Sequence, residues 1–257
     1  MSEKLWYLKN CPLFDRMSAE ELAKIESSSR IRAFPRKSPI YLPADSSQDV
    51  FLLAAGRIKL CHLTPEGKQS ILAFIEPGEI FGELAMLDGG EREEYAETLE
   101  KSTVVLIPRQ TIERMMEAKA ELTIGITKMI GLRRRRIERR LKNLLFLSNR
   151  DRLIHLLLDL VEQYGEPTDS GIALSIKLSH QDLANVIGST RETVTVLLGE
   201  LQLEGLLSVG RRKIVLKKPD EMAAGVHRTA PSLPRTAPPA MKRPPAATSV
   251  KPAEDPT

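Results

Sequence analysis

Cysteine and histidine are scarce in this chain of 257 residues. The two cysteines, Cys11 and Cys61, form neither a Cys-x-x-Cys motif nor a Cys/His spacing, which excludes a disulfide framework and leaves no zinc or iron–sulfur motif. The four histidines are His62, His155, His180 and His227. Scattered in this way, they do not supply the ligand cluster of a metal-dependent enzyme. No nucleophile–base pair is evident either, so we expect neither a metal site nor an enzyme.

Long apolar runs are also missing. The first residues, Met1 to Leu8, lack the apolar core of a signal peptide, and no stretch approaches the roughly 20 apolar residues that span a bilayer. We therefore expect a cytoplasmic protein with no membrane partner. The formal net charge of +4 is mildly basic, which permits nucleic acid binding without proving it.

Short apolar segments separated by Gly/Pro turns fill the chain from about Arg32 to Pro108. The predicted strands are Val50–Ala54, Arg57–Leu63, Gln69–Ile75 and Ser102–Ile107. Many short strands at regular spacing are typical of an antiparallel barrel or jelly roll. A helix before them is predicted to start at Ser18, where Ser18 and Glu21 have the spacing of a capping box.

A long helix is predicted from about Glu121, with apolar residues at spacings of three and four. Arginines flank this narrow stripe, which is typical of a helix that pairs with a second copy of itself. The predicted dimer contacts are Ile130, Ile137, Leu141 and Leu144. The alternative is that the helix lies on its own barrel.

Two short helices joined through Gly188 are predicted between Leu178 and Leu203. Ser179 is the expected N-cap of the first helix and Ser189 that of the second. The apolar residues expected to pack between them are Leu183, Ala184 and Ile187 against Val194, Leu197, Leu198 and Leu201. This arrangement predicts a helix-turn-helix whose second helix lies in the major groove of double-stranded DNA.

The start of the second helix carries the expected base contacts. Arg191 suits guanine, Glu192 can accept from cytosine, and Thr195 lies one turn further on. Glu192 also has the spacing to complete a capping box with Ser189, and Arg191 could instead contact a phosphate. The other expected DNA-facing residues are Ser189, Thr190, Thr193 and His180, with Arg211, Arg212 and Lys213 in a following hairpin or wing.

The layout of barrel, long helix and winged helix-turn-helix resembles the cyclic-AMP receptor protein/FNR family of bacterial transcription regulators. The resemblance covers about Leu13 to Lys218 and is sharpest in Gly78–Leu84 and Leu178–Leu201. Within the latter, Leu178–Gln181 and Ile187–Arg191 resemble the cyanobacterial global nitrogen regulators. Where the family often has an arginine on the recognition helix, this chain has Val196.

This resemblance implies an α+β chain that acts as an effector-responsive homodimer on a near-palindromic operator, with RNA polymerase as a further partner. The expected parts are an effector-sensing barrel (1–118), a dimerisation helix (119–148), a winged helix-turn-helix domain (149–218) and a disordered Pro-rich tail (219–257). An effector between barrel and dimer helix would reorient the DNA-binding domains about a hinge near Ser148–Asp151. Gly165–Gly171 is expected to be a loop.

Members that bind cyclic nucleotides frame the ligand with a Gly-Glu pair and an Arg followed by a hydroxyl residue. Gly82, Glu83 and the adjoining Leu84 match the first part, and Arg92 matches the arginine, but Glu93 replaces the hydroxyl. A carboxylate beside a phosphate is repulsive, which disfavours cyclic AMP. The Thr-Ser pair that touches adenine is also replaced, by Ile137 and Glu138.

The nitrogen regulators imply 2-oxoglutarate instead, held by Arg92, Arg133 and Glu138. Against this, Glu83 would repel a dicarboxylate, and Arg133 and Glu138 could simply be surface charges of an arginine-rich helix. Haem is weaker still, because the adjacent pair Cys61–His62 is no ligand geometry. The effector therefore stays open between a cyclic nucleotide, a 2-oxoglutarate-like acid and none. An adaptor whose winged helix binds protein is a further alternative.

Overall fold

The computed structural model describes residues 2–46, 48–87, 91–211 and 213–233. At the N-terminus lie helix α1 (Glu3–Lys9), a 3-10 turn (Pro12–Phe14) and helix α2 (Ala19–Ser28). The predicted capping box is confirmed: the Glu21 N–H donates to Ser18 Oγ, and the Ser18 N–H donates to the Glu21 carboxylate.

Eight antiparallel strands form two facing sheets. They are β1 (Arg30–Phe34), β2 (Pro39–Tyr41), β3 (Asp49–Ala55), β4 (Ile58–Leu63), β5 (Gln69–Ile75), β6 (Ile80–Phe81), β7 (Tyr95–Thr98) and β8 (Ser102–Pro108). The sheet orders are β1-β8-β3-β6 and β2-β7-β4-β5. The predicted jelly-roll architecture is confirmed, and the four predicted strands correspond to β3, β4, β5 and β8. The core between the sheets includes Leu53, Ile58 and Val104.

Helices follow the sheets. Helix α3 (Leu84–Leu87) lies between β6 and β7, α4 (Arg109–Ala118) follows β8, and the long helix α5 runs from Ala120 to Phe146. The long helix thus begins within one residue of its predicted start. Leu122 and Ile126 of α5 are buried in the core that also holds α1, α2 and strand β3.

The C-terminal part consists of α6 (Asn149–Tyr164), β9 (Gly165–Thr168), β10 (Gly171–Leu174), α7 (His180–Ile187), α8 (Arg191–Leu203), β11 (Leu207–Gly210), β12 (Lys213–Leu216) and α9 (Pro219–Gly225). Its strands form one antiparallel sheet in the order β11-β12-β10-β9. Hairpin β11–β12 is the predicted wing. No helix in the residues that the structure describes combines the length and apolar character of a bilayer span.

Two sequence predictions need correction here. The expected loop at Gly165–Gly171 is a hairpin, because β9 and β10 pair from Gly165↔Leu174 to Thr168↔Gly171. The expected tail begins too early, because α9 folds onto α6 and buries Met222 and Ala223. The remainder of that tail, 234–257, lies outside the described residues.

Candidate nucleic-acid interface and effector cavity

Ser179 and Gly188 set the two ends of helix α7. The Asp182 N–H donates to Ser179 Oγ (3.1 Å) and the Ser179 N–H donates to Asp182 Oδ2 (2.9 Å), so the predicted cap is a full capping box. Gly188 has a φ of 65°, a left-handed conformation that glycine adopts without strain. A Cβ there would lie 2.8 Å from Leu144 Cδ2, so both backbone and packing favour glycine at this turn.

Thr190, not Ser189, caps the recognition helix α8. The Thr193 N–H donates to Thr190 Oγ1 (3.2 Å), whereas Ser189 belongs to the preceding turn, where its N–H donates to Ala184 O (3.0 Å). The predicted capping box between Ser189 and Glu192 is therefore wrong. The sequence analysis placed the cap at Ser189, one residue too early, because Ser189 carries a hydroxyl of the kind that caps a helix.

The helix-turn-helix core forms as predicted. The buried residues are Leu183, Ala184 and Ile187 of α7 and Val194, Leu198 and Leu201 of α8, with Leu197 partly buried against them. This packing places the opposite side of α8 in solvent. Arg191 and Glu192, in the first turn of α8, are both exposed, and no described residue bonds or pairs with either side chain. Both are available for a ligand.

Thr195 and His180 contact each other. His180 Nδ1 lies 2.8 Å from Thr195 Oγ1, and the same hydroxyl donates to Arg191 O at 2.8 Å. The Thr195 hydroxyl, predicted to face DNA, is thus engaged within the protein. His180 links the first helix of the motif to the second.

The wing lies beside the recognition helix. The Val209 N–H donates to Gln202 Oε1 (2.9 Å), which ties β11 to α8. Arg211 and Lys213 are exposed at the hairpin tip, whereas Arg212 lies outside the described residues. Thr190 is also exposed, and Ser189 and Thr193 are half-buried. The wing is therefore held at the C-terminal end of α8, with two basic side chains exposed at its tip.

Of the four predicted dimer contacts on α5, two are exposed and two are half-buried. Ile137 and Leu141 are 37% and 54% exposed, and Leu145, which the sequence analysis missed, is 66% exposed. Ile130 is half-buried against the N-terminal core, and half-buried Leu144 faces the turn at Gly188. Ile137, Leu141 and Leu145 therefore form an apolar stripe, which we call the α5 stripe, and none of the described residues of this chain covers it.

Glu83 is buried beneath α5. Its side chain is 1% exposed, and Oε1 accepts from Arg133 Nη1 at 2.8 Å, while Arg133 Nη2 donates to Ile80 O at 2.9 Å. Glu83 Oε2 is buried and has no hydrogen-bond partner. Burial raises the pKa of Glu83, and the Arg133 guanidinium partly opposes that rise. Arg133 is therefore an ion-pair partner of the barrel and not only a surface charge.

Arg92 is turned into the barrel. Its guanidinium donates to Gly82 O (3.2 Å) and Asp49 O (2.6 Å) and lies over the ring of Tyr41, 4.2 Å from the ring centroid. Desolvation lowers the pKa of Arg92. A Cβ at Gly82 would lie 2.5 Å from Arg92 Nη1, so glycine is required for this contact. Gly82 and Arg92 are in contact, as the resemblance implied, but the Arg92 guanidinium donates to the protein's own carbonyl oxygens.

A cavity of about 420 Å³ opens beside Arg92. Its polar lining includes His62 and three carboxylates, namely Glu91, Glu93 and Glu94, and its apolar lining includes Leu72 and Leu84. Arg133, Ile137 and Glu138, which the sequence analysis also assigned to the effector, are not among its described lining residues. Glu138 instead pairs with Arg134 on the exposed surface of α5, at 2.8 Å. The cavity thus contains one arginine, whose donors are already engaged by carbonyl oxygens, and three carboxylates.

The thiol of Cys61 does not offer a haem ligand. It is buried, and burial raises its pKa to about 12, so the thiol stays protonated at neutral pH. Across the described part of the chain, no group of three or more His, Cys, Asp or Glu could hold a metal ion.

Contacts between the barrel and the helix-turn-helix were missed by sequence reasoning. Lys59 of β4 is 6% exposed and pairs with Glu97 (3.0 Å) and with Asp182 of α7 (3.3 Å). Arg57 pairs with Glu76 (2.6 Å) and lies over the ring of Tyr164, 4.9 Å from the centroid. These partners lie far apart in the sequence and carry no local signal. They fix α6 and α7 against the barrel.

Comparisons with known families agree with this architecture. Residues 31–119 match the cyclic nucleotide-binding domain, and residues 151–224 match the Crp-like helix-turn-helix domain.

Three known proteins illustrate the similarity. The global nitrogen regulator of Nostoc sp. is 30% identical over 74% of this chain and 86% of its own length. The cyclic AMP receptor protein of Thermus thermophilus is 28% identical over 85% of this chain and its full length. The solved structure of the c-di-GMP responsive global regulator CLP of Xanthomonas campestris superposes with a TM-score of 0.68 at 22% identity, covering 77% of this chain and 99% of that one.

Proposed function

The chain belongs to the cyclic-AMP receptor protein/FNR family of bacterial transcription regulators, which are not enzymes, and from that premise we propose that it is a sequence-specific DNA-binding regulator that acts as a homodimer on a near-palindromic operator. The observation that carries the proposal is the exposed start of α8, where Arg191 and Glu192 project from a helix whose other side is buried.

Charge and capping at this helix support base reading. An uncommitted guanidinium in the first turn can donate to guanine O6 and N7, and the Glu192 carboxylate, which is not needed for capping, can accept from cytosine N4. Arg211 and Lys213, exposed in the wing, would neutralise phosphates beside the groove. Together these contacts suit a cytoplasmic regulator whose ligand is double-stranded DNA.

The α5 stripe supports the dimer. Ile137, Leu141 and Leu145 are 37%, 54% and 66% exposed, so burying what remains exposed of each side chain would contribute roughly 0.5–2 kcal/mol. A second copy of α5 would cover them, and two-fold symmetry would then place two recognition helices on two half-sites about one DNA turn apart. RNA polymerase is the further expected partner, on family membership alone.

Selection of bound sequences from a random duplex library tests this function. The proposal requires enrichment of an inverted repeat whose half-sites are about ten base pairs apart from centre to centre. Binding to the selected duplex should weaken steeply with salt, as counterion release demands. Enrichment of no sequence at all would reject the proposal and favour the adaptor alternative, in which the winged helix binds protein.

The barrel is proposed to hold a small-molecule effector in the cavity beside Arg92. An anionic effector fits poorly, because the Arg92 donors are engaged by carbonyl oxygens and Glu91, Glu93 and Glu94 line the same space. This disfavours the phosphate of a cyclic nucleotide. It also disfavours 2-oxoglutarate, whose expected ligands Arg133 and Glu138 are paired elsewhere.

A second candidate is a regulator that needs no effector, and the Glu83–Arg133 pair favours it. This ion pair joins the barrel to α5 directly, without any ligand between them. Measuring operator affinity with and without cyclic AMP, cyclic di-GMP and 2-oxoglutarate separates the two candidates. A tenfold gain, a coupling of about 1.4 kcal/mol, would identify the effector. Tight specific binding without any addition would support effector independence.

A further inference from the structure

Val196 is 60% exposed on the recognition helix, although it is a β-branched apolar residue. Helix α8 buries Val194, Leu198 and Leu201, so its outward side is opposite these three residues. At about 100° per residue, Val196 lies on that side, about 40° around the helix from Glu192. It therefore extends the exposed surface that begins with Glu192.

The position of Val196 along the helix also matters. Four residues beyond Glu192 correspond to about 6 Å of helix, or about two base-pair steps. At this level the neighbouring hydroxyl of Thr195 is occupied by His180 Nδ1 and Arg191 O. The Thr195 hydroxyl thus has its proton committed to Arg191 O, and Val196 has no polar side-chain atom, so the surface that Val196 offers to a base pair is apolar.

We propose that Val196 is a specificity-determining residue that contacts the 5-methyl group of a thymine in each half-site. The thymine methyl is the apolar feature of the major groove, and an aliphatic side chain recognises it by contact alone. We assign DNA as the partner of Val196 because this residue lies on the same exposed side of α8 as Glu192, which is proposed to contact a base. The inference rests on the proposed DNA-binding function and adds the base that this position selects.

Deoxyuridine gives a direct test, because it differs from thymidine only by that methyl group. After an operator has been selected with the full-length protein, each thymine of the half-site is replaced in turn by deoxyuridine, and affinity is measured by fluorescence anisotropy. One thymine should show a loss of about fourfold per half-site, the effect of losing one methyl contact. Changing both half-sites should cost about 15-fold.

Val196→Ala links that loss to this residue. The variant should bind the thymine operator more weakly than the wild type, and its affinity for the thymine operator should exceed that for the deoxyuridine operator by less than in the wild type. Because Val196 is exposed and alanine is a better helix former, the variant should stay folded. Leu203→Ala is the matched control, since Leu203 is 90% exposed further along α8, and it should retain the full sensitivity to the methyl group.

Two results would decide against the inference. If Val196→Ala keeps the same sensitivity to the thymine methyl as the wild type, another residue makes the contact. If no thymine of the selected half-site responds to deoxyuridine, the contact does not exist. Neither result touches the proposed function, which fails only if selection yields no specific sequence. Val196→Arg should move the preference at this base pair from thymine towards guanine.

Discussion

Buried charge decides what individual residues do in this molecule. Glu83 and Arg92 are both almost fully buried, and each has its charge partnered within the protein: Glu83 pairs with Arg133 through Oε1, and Arg92 contacts two carbonyl oxygens and an aromatic face. A buried charge without such partners would be strongly destabilising. The sequence pointed to Gly82, Glu83 and Arg92 as neighbours, but their partners could not be predicted, because Arg133 and Glu83 lie far apart in the chain.

Arg133→Met should destabilise the protein by about 3 kcal/mol at neutral pH, because it leaves the carboxylate of Glu83 buried without its cation. Burial already raises the pKa of Glu83, and loss of Arg133 raises it further. A carboxyl whose folded-state pKa is raised favours folding below its ordinary pKa, and that advantage disappears as the pH rises through the folded-state value. The deficit of Arg133→Met should therefore shrink on acidification.

Urea unfolding of the wild type and Arg133→Met across the acidic to neutral range checks this expectation. The double variant Arg133→Met/Glu83→Gln removes both charges and is the control, because it should recover most of the lost stability at neutral pH. A deficit that is independent of pH, or a double variant as unstable as the single one, would show that Glu83 is not the destabilised group.

At the scale of elements, capping and apolar spacing made α2, α5, α7 and α8 predictable to within a few residues. Ser18 and Ser179 begin their helices as expected. Strands such as β1 and β9 were missed because they are short and mostly exposed, so they lack the alternation that marks a half-buried strand. Helix α9 was missed because its burial depends on α6, to which the tail composition gives no clue.

The N-cap of α8 can be tested by replacing two neighbouring hydroxyl residues, Ser189 and Thr190, one at a time. Thr190→Ala should cost about 1 kcal/mol, because the Thr193 N–H loses its acceptor, whereas Ser189→Ala should cost much less. Amide hydrogen exchange at Thr193, together with urea unfolding, measures both effects. Faster exchange in Ser189→Ala than in Thr190→Ala would reverse the assignment of the cap.

The α5 stripe gives a matched pair of exposed leucines. Leu141 and Leu132 are 54% and 55% exposed, and they lie on different sides of α5. Leu141→Lys should convert the dimer to monomers at micromolar concentration, because it places a charge in the proposed interface, whereas Leu132→Lys should leave the dimer intact. Sedimentation equilibrium distinguishes these states. Equal behaviour of the two variants would place the interface elsewhere.

In the whole molecule, the barrel and the DNA-binding domain share one continuous core. Cys61, Ile71 and Phe74 of the barrel pack in the same cluster as Leu183 and Leu198 of the helix-turn-helix. The Lys59–Asp182 pair adds a polar contact across this junction. The order of the parts was predictable from composition and periodicity, but this docking was not, because it depends on side chains brought together only by the fold.

The docked arrangement leaves the proposed base-reading surface of α8 exposed. Arg191, Glu192 and Val196 stay exposed while α6 and α7 are held against the barrel. The predicted hinge begins at Ser148, which caps α6 through the N–H of Asp151. The position of the recognition helix in one chain is therefore set by the barrel as well as by α5, and we expect both to determine the spacing of the two half-sites.

The central claim is that the exposed start of α8 reads DNA sequence, and the ratio of specific to random affinity tests it most directly. Anisotropy titrations at one fixed salt concentration would compare the selected operator with a shuffled duplex for the wild type and Arg191→Ala. We predict that Arg191→Ala loses about 1–3 kcal/mol of discrimination per half-site while random-duplex binding changes little. An unchanged ratio in Arg191→Ala would contradict the account, because sequence would then be read by some other surface.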